Sequence, residues 1–153
     1  MNYWLMKSEA SCYSIDDLKH DQKTAWTGVR NYQARNFMKD MQVGDQVLFY
    51  HSNGTPKAPA GVYGIAKVCA KAHADETQFD KKDDHYDPKA TTAKPIWECV
   101  DIAFVKKFNQ PVTLDEIKFE PRLKGMMLTQ KGSRLSVMPV SEKHFKEISG
   151  MAQ

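Results

Sequence analysis

Hydrophobic and polar positions alternate from the start of the chain. In "YWLMKS" (residues 3–8), Tyr3, Leu5 and Lys7 fall on one side and Trp4, Met6 and Ser8 on the other, the period of a β-strand. The period then lengthens. Ser14 followed three residues later by Asp17 marks a capping box over a short helix, "SIDDLKHD". Phe37, Met38 and Met41 give an apolar edge at helical spacing and predict a second helix over about 31–41. Gly44 and Asp45 form a turn, after which Gln46 to His51 run out as a strand dense in strand formers.

Residues 53–61, "NGTPKAPAG", read as a loop leading into "VYGIAKV", a strand interrupted by Gly64. Residues 71–95 mix charges with almost no apolar side chains, and predict a solvated insertion or mobile loop. "IWECVDIAFVKKF" is the clearest strand. Beyond it, "VTLDEIK" predicts a helix and "RLSVMPV" a strand. "SEKHFKEISG" predicts a last helix with Ser141 as its cap, Glu142 at its positive end and Gly150 as its stop. Non-consecutive strands with short helices between them point to an α+β domain on a curved or barrel-like sheet. At 153 residues, one domain spanning 1–153 is expected.

Composition narrows the function classes. No apolar run approaches the roughly 20 residues of a membrane span, and the first ten residues lack the pattern of a secretory signal. A cytoplasmic protein is expected, or a nuclear one in a eukaryotic cell, with no membrane partner. Cys12, Cys69 and Cys99 are widely spaced, with no C-x-x-C and no histidine at ligand spacing, so reduced thiols are expected rather than a disulfide framework or zinc site. "DKKDDHYDPK" lacks the spacing of a calcium loop. Neither glycine-rich phosphate motif is present, so no cofactor and no metal is expected. A formal charge of +3 is too small for a protein that grips a long duplex by phosphate contacts alone.

One stretch departs from this balance. "WTGVRNYQARN" (residues 26–36) holds Trp26 and Tyr32, Arg30 and Arg35, Asn31, Gln33 and Asn36, and no acid. Aromatic faces stack on bases, carboxamides read base edges, and guanidiniums take phosphate. A helix beginning at Asn31 would add unpaired N–H groups suited to an anion. Equally, Trp26 and Tyr32 suit a core, and Arg35 a tie between loops. "FYHSNG" sets Tyr50 and Ser52 on one face of a strand end and Phe49 and His51 on the other, and "WECVDI" opens on Trp97.

The order "YWLMKSE", "WTGVRNYQARN", "VGDQVLFYHS", "PAGVYGIAKV", "PIWECVDIAFV" and "GSRLSVMPVS" resembles the EVE domain family over essentially the whole chain. Ala10 departs from it, since the opening motif usually continues with proline. The resemblance implies a PUA-like β-barrel flanked by short helices, with no catalytic activity. Its favoured ligand is a modified cytosine in DNA, such as 5-methylcytosine, flipped into an aromatic cage. It also implies Trp26 and Trp97 as aromatic walls, Lys7, Ser8, Asn31, His51 and Ser136 as polar contacts to the base, and Arg30, Arg35 and Arg134 towards phosphates. Tyr32, Tyr50, Ser52 and Leu135, from the same patches, complete the expected nucleobase set. Alternatives are an RNA-binding module acting on tRNA or rRNA, and a small nucleoside-processing enzyme using His51. A monomer is expected, with a partner protein possible as a second contact.

Overall fold

The first strand, β1 (Tyr3–Glu9), lies between two strands far from each other in sequence: parallel to β3 (Gln46–Ser52) and antiparallel to β6 (Val137–Val140). With β2 (Lys23–Ala25), β4 (Gly61–Ala74) and β5 (Glu98–Thr113), they form one mixed sheet in the order β2-β5-β4-β3-β1-β6. The computed structural model from which this is read describes residues 1–132 and 134–152; Ser133, inside the 132–141 motif, and Gln153 lie outside the described residues.

Both faces of the sheet are covered, which is why Val47 to His51 form an unbroken buried run instead of alternating. Trp4, Met6, Val47, Phe49 and Val137 enter one core, closed by α1 (Ile15–Asp21) and α2 (Tyr32–Asp40) through Ile15, Leu18, Ala34 and Met38. Leu5, Leu48, Tyr50 and Met138 enter the other, closed by α3 (Leu114–Phe119) and α4 (Glu142–Met151). Each fully buried aliphatic contributes about 1.5–3 kcal/mol by area. Helix α2 packs on β5 near one edge of the sheet and on β6 at the other. The sheet therefore curls around that first core, and the α+β class expected from the sequence holds.

The capping box predicted for α1 is present: Ser14 Oγ accepts from the Asp17 N–H and Asp17 Oδ2 from the Ser14 N–H. Three expectations are corrected. Gly150 lies inside α4, whose C-cap is Ala152. Strand β5 runs through Pro111 to Thr113, which caps α3, so "VTLDEIK" becomes helical only at Leu114. Residues 71–95 are not simply a solvated insertion. β4 extends to Ala74, a 3-10 turn occupies Glu76–Phe79, and Asp75 and Gln78 are fully buried. The Gln78 carboxamide acts as a stand-in for backbone: its Nε2 donates to the Asp75 and Trp97 carbonyls, and its Oε1 accepts from the Ile96 and Trp97 N–H groups. Polar groups satisfied this completely are buried without penalty.

Candidate nucleic-acid interface

A cleft of about 510 Å³ opens where the end of β1, the segment after β2 and the turn before β6 meet. Lys7 and Ser8 come from β1, Trp26 to Arg30 from the connection between β2 and α2, and Ser136 from the residue before β6. The Lys7 N–H donates to the Ser136 carbonyl at 2.8 Å, which fixes two of the walls together. Trp26 is only 8% exposed. Its indole stands edge-on to Phe49, with centroids 5.4 Å apart, and to Tyr13 at 6.4 Å, so its plane is set by neighbours before any ligand arrives. Tyr13 in turn donates its hydroxyl to Asp21 at 2.8 Å; burial and that carboxylate push its pKa up to about 12.

The loop that carries Trp26 is held by a buried carboxylate. Asp75, with no exposed surface, accepts from the Gly28 N–H at 2.8 Å, from Arg30 Nη1 at 3.1 Å, and from the Thr77 N–H and hydroxyl. Burial would raise its pKa, but the donors from Thr77, Gly28 and Arg30 outweigh it and hold the group below the ordinary carboxylate range. Gly28 has φ of +88° and sits against the His85 ring, where an added Cβ would come within 2.9 Å. His85 thereby becomes part of the cleft wall.

The remaining expected residues fall in other places. Arg30 lines the cleft, but its guanidinium donates to the carbonyls of Val29 and His85, to Asp75 and to Thr77. All five of its N–H groups are thus engaged by protein, and in this structure Arg30 ties the loop to Asp75, Thr77 and His85. Arg35 donates to the Ile96 carbonyl and to Asn36 and lies over the Tyr32 ring at 5.0 Å. Trp97 lies outside the cleft, its ring stacked on Tyr32 at 4.8 Å with the Arg30 guanidinium 5.5 Å from its centroid, and its Nε1 donates to Asp87.

His51 is also buried away from the cleft. It accepts the Ile15 N–H on Nε2 at 3.0 Å, at the start of α1, and stacks on Tyr63. Tyr50 belongs to the second core, where burial pushes its pKa up to about 12. Ser52 pairs with Glu9 at the ends of β3 and β1, and Asn31 caps α2 by accepting from the Ala34 N–H. Asn31, Arg134 and Leu135 line a separate shallow groove. Of the expected base-contacting set, the structure therefore gathers Lys7, Ser8, Trp26 and Ser136 in one cleft, and disperses the rest.

The family model for the EVE domain matches residues 2–151. The chain belongs to the EVE domain family. Thymocyte nuclear protein 1 of Danio rerio is 43% identical over 161 residues, covering 94% of this chain and 68% of that protein. Among solved structures, a Pseudomonas syringae protein superimposes with a TM-score of 0.94 at 44% identity, covering 99% of both chains. The human thymocyte nuclear protein 1 structure in complex with 5-methylcytosine-containing DNA gives 0.92 at 36% identity, covering 100% of this chain and 98% of that one.

Sequence reasoning missed several walls of this EVE domain's cleft: Cys12, Tyr13, Thr24 and His85. Thr24 lies in β2, a strand too short to stand out from its surroundings, and His85 reaches the cleft from a segment with no apolar pattern. Among the described residues, no group of three or more His, Cys, Asp or Glu side chains could hold a metal ion, and no helix is long and apolar enough to cross a membrane.

Proposed function

We propose that this EVE domain is a non-enzymatic module that binds a modified cytosine in DNA, with the base turned out of the stack into the Trp26 cleft. The observation that carries the reading is its likeness, along the whole chain, to a relative whose structure is a complex with 5-methylcytosine-containing DNA. The cleft supports it: a volume in the range of small-ligand sites, an aromatic ring held in place, and donors from Lys7, Ser8 and Ser136. His51, the histidine on which the nucleoside-processing alternative is built, is committed to α1, which removes that version of an enzyme. The relatives' name favours a nuclear site of action if the cell is eukaryotic.

Energetics limit what the methyl group does alone. One buried methyl is worth about 0.8 kcal/mol, near fourfold in affinity. Unstacking a base costs a few kcal/mol, against about 1–3 kcal/mol returned by stacking on an aromatic ring. Sharp selectivity therefore rests on polar groups that the wrong base leaves unsatisfied. Fluorescence anisotropy with matched oligonucleotides, 5-methylcytosine against cytosine at two salt concentrations, tests the reading. A preference that survives high salt is expected; equal, salt-sensitive binding would overturn it. Competition by methylated RNA of the same sequence sets DNA against RNA as the polymer, and turnover of any nucleoside in a panel would sink the non-enzymatic assignment.

A further inference from the structure

We propose that His51 is a positioning residue for the cleft: its neutral ring holds α1 and Phe49 against Trp26, and protonation of that ring loosens the cleft and weakens ligand binding. The ligand half of the inference rests on the base-binding reading above. The geometry is a closed circuit of aromatic contacts and one hydrogen bond. The His51 ring stands edge-on to Phe49, with centroids 5.6 Å apart, and Phe49 is the edge-on neighbour of Trp26. On its other side, His51 Nε2 accepts the Ile15 N–H at 3.0 Å. Ile15 opens α1 two residues after Tyr13, whose ring flanks Trp26 and lines the cleft with it. Both aromatic neighbours that set the Trp26 plane therefore meet His51, one directly and one through the start of α1.

The circuit has little slack. The Tyr63 ring stacks on His51 with centroids 4.1 Å apart, and Ile15 lies so close to β4 that a Cβ on Gly64 would come within 2.9 Å of its side chain. Tyr13 is held from the far end of α1 by Asp21. A protonated imidazole carries N–H on both nitrogens, so Nε2 no longer accepts and faces another donor. The bond to Ile15 then opens, and the displacement falls on Tyr13 and Phe49. Asp16 and Asp17 on α1 favour the charged ring, and Lys107 on β5, paired with Asp16 at 2.7 Å, opposes it. On β4, burial keeps Tyr63 protonated and neutral, and the strand neighbours Ser8 and Gly61 carry no charge. Burial of the ring outweighs the two acids and lowers its pKa, so the circuit is intact at neutral pH and opens in acid.

The test uses the full chain and its His51→Gln variant, which offers Ile15 an acceptor that does not titrate. The first readout needs no ligand. The indole N–H resonance of Trp26, assigned with Trp26→Leu, is followed by NMR from about pH 7.5 to about pH 5, across the ordinary histidine range. In the parent it should move with the midpoint of the His51 ring, and in His51→Gln that step should vanish. The other histidines, His85 in the cleft wall included, titrate in both proteins, so the difference isolates His51. The second readout is affinity for a 5-methylcytosine oligonucleotide over the same range at constant ionic strength. On acidification the parent should lose about fivefold relative to His51→Gln, the worth of one hydrogen bond. A merely structural His51 would lower Tm and move neither readout. A Trp26 resonance that ignores the His51 titration, or moves alike in both proteins, overturns the proposal, as do parallel affinity profiles. Should His51→Gln fail to fold, the two midpoints in the parent decide alone. If the methylated oligonucleotide is not preferred at neutral pH, the base-binding reading falls and the Trp26 resonance decides the coupling.

Discussion

Asp75 accepts the backbone N–H of Gly28 at 2.8 Å across 47 residues of sequence, and the same carboxylate oxygen takes Arg30 Nη1. A buried acid thus fixes both the backbone and the guanidinium of the loop that forms the cleft. Asp75→Asn turns an acceptor towards donors and leaves Arg30 without its counter-charge. The expected loss is about 3–5 kcal/mol, a fall in Tm on the order of 10 °C. A melting curve within two or three degrees of the parent's, by about the same scaling, would show that the loop is held by other means. The pKa of Asp75 is held below its unfolded value, so this stability is present above the ordinary carboxylate range and is lost as pH falls through the folded value.

His51 gives a second, separate pH dependence. Burial lowers its pKa, chiefly because the charged ring would be desolvated, and its Nε2 must stay unprotonated to accept from Ile15. The contribution is complete above the unfolded histidine value of about 6.5 and is lost as pH falls from there through the folded value. Thermal melts between neutral and mildly acidic pH should show Tm declining. In His51→Gln, which retains an acceptor but does not titrate, the decline should be shallower; equal slopes would remove His51 as the cause.

Gly28→Ala meets two obstacles. A φ of +88° strains any residue with a Cβ, by about 1–2 kcal/mol, and the new methyl would lie 2.9 Å from the His85 ring. The double variant Gly28→Ala with His85→Ala should recover only the steric share in a chemical-denaturation measurement. Complete recovery would mean that the backbone conformation itself carries no strain.

The two tryptophans should part company. Trp26→Leu keeps apolar bulk in the core but removes the ring from the cleft, and should weaken binding of the modified oligonucleotide by the worth of one stacked base, roughly 1–3 kcal/mol. Trp97→Leu removes the stack on Tyr32 and the bond to Asp87. It should lower stability while leaving the Kd within about twofold, a shift below ~0.5 kcal/mol. Anisotropy titrations beside melting curves separate the two effects, and a large binding loss in Trp97→Leu would return that ring to the site.

The parts of this fold that were legible in the sequence are those governed by near neighbours. Ser14 with Asp17 marks α1 because both halves of the capping box lie within one turn, and β3 shows itself through a run of strand formers. The local pattern places Asp75 and Gln78 in solvent because burial of a polar side chain depends on partners distant in sequence, here Gly28, Arg30 and Trp97. The site follows the same division. Trp26 stands out by its acid-free surroundings, whereas Ser136 and Lys7 meet only through the pairing of the chain before β6 with β1. His51 and Trp97 have the chemistry of ligand-binding residues, but neighbouring backbone and rings had already taken it up. Composition cannot report that occupancy.

The placement of β1 also sets the order in which the molecule can be built. Its partners are β3 on one side and β6 on the other, so β1 keeps one edge of backbone N–H and C=O groups unpaired until Val137–Val140 has been made. Pairings of such long sequence separation slow folding and leave an aggregation-prone edge exposed meanwhile. Slow refolding and sensitivity to loss of β6 are the expected outcome for one strand sitting between neighbours that lie far apart along the chain.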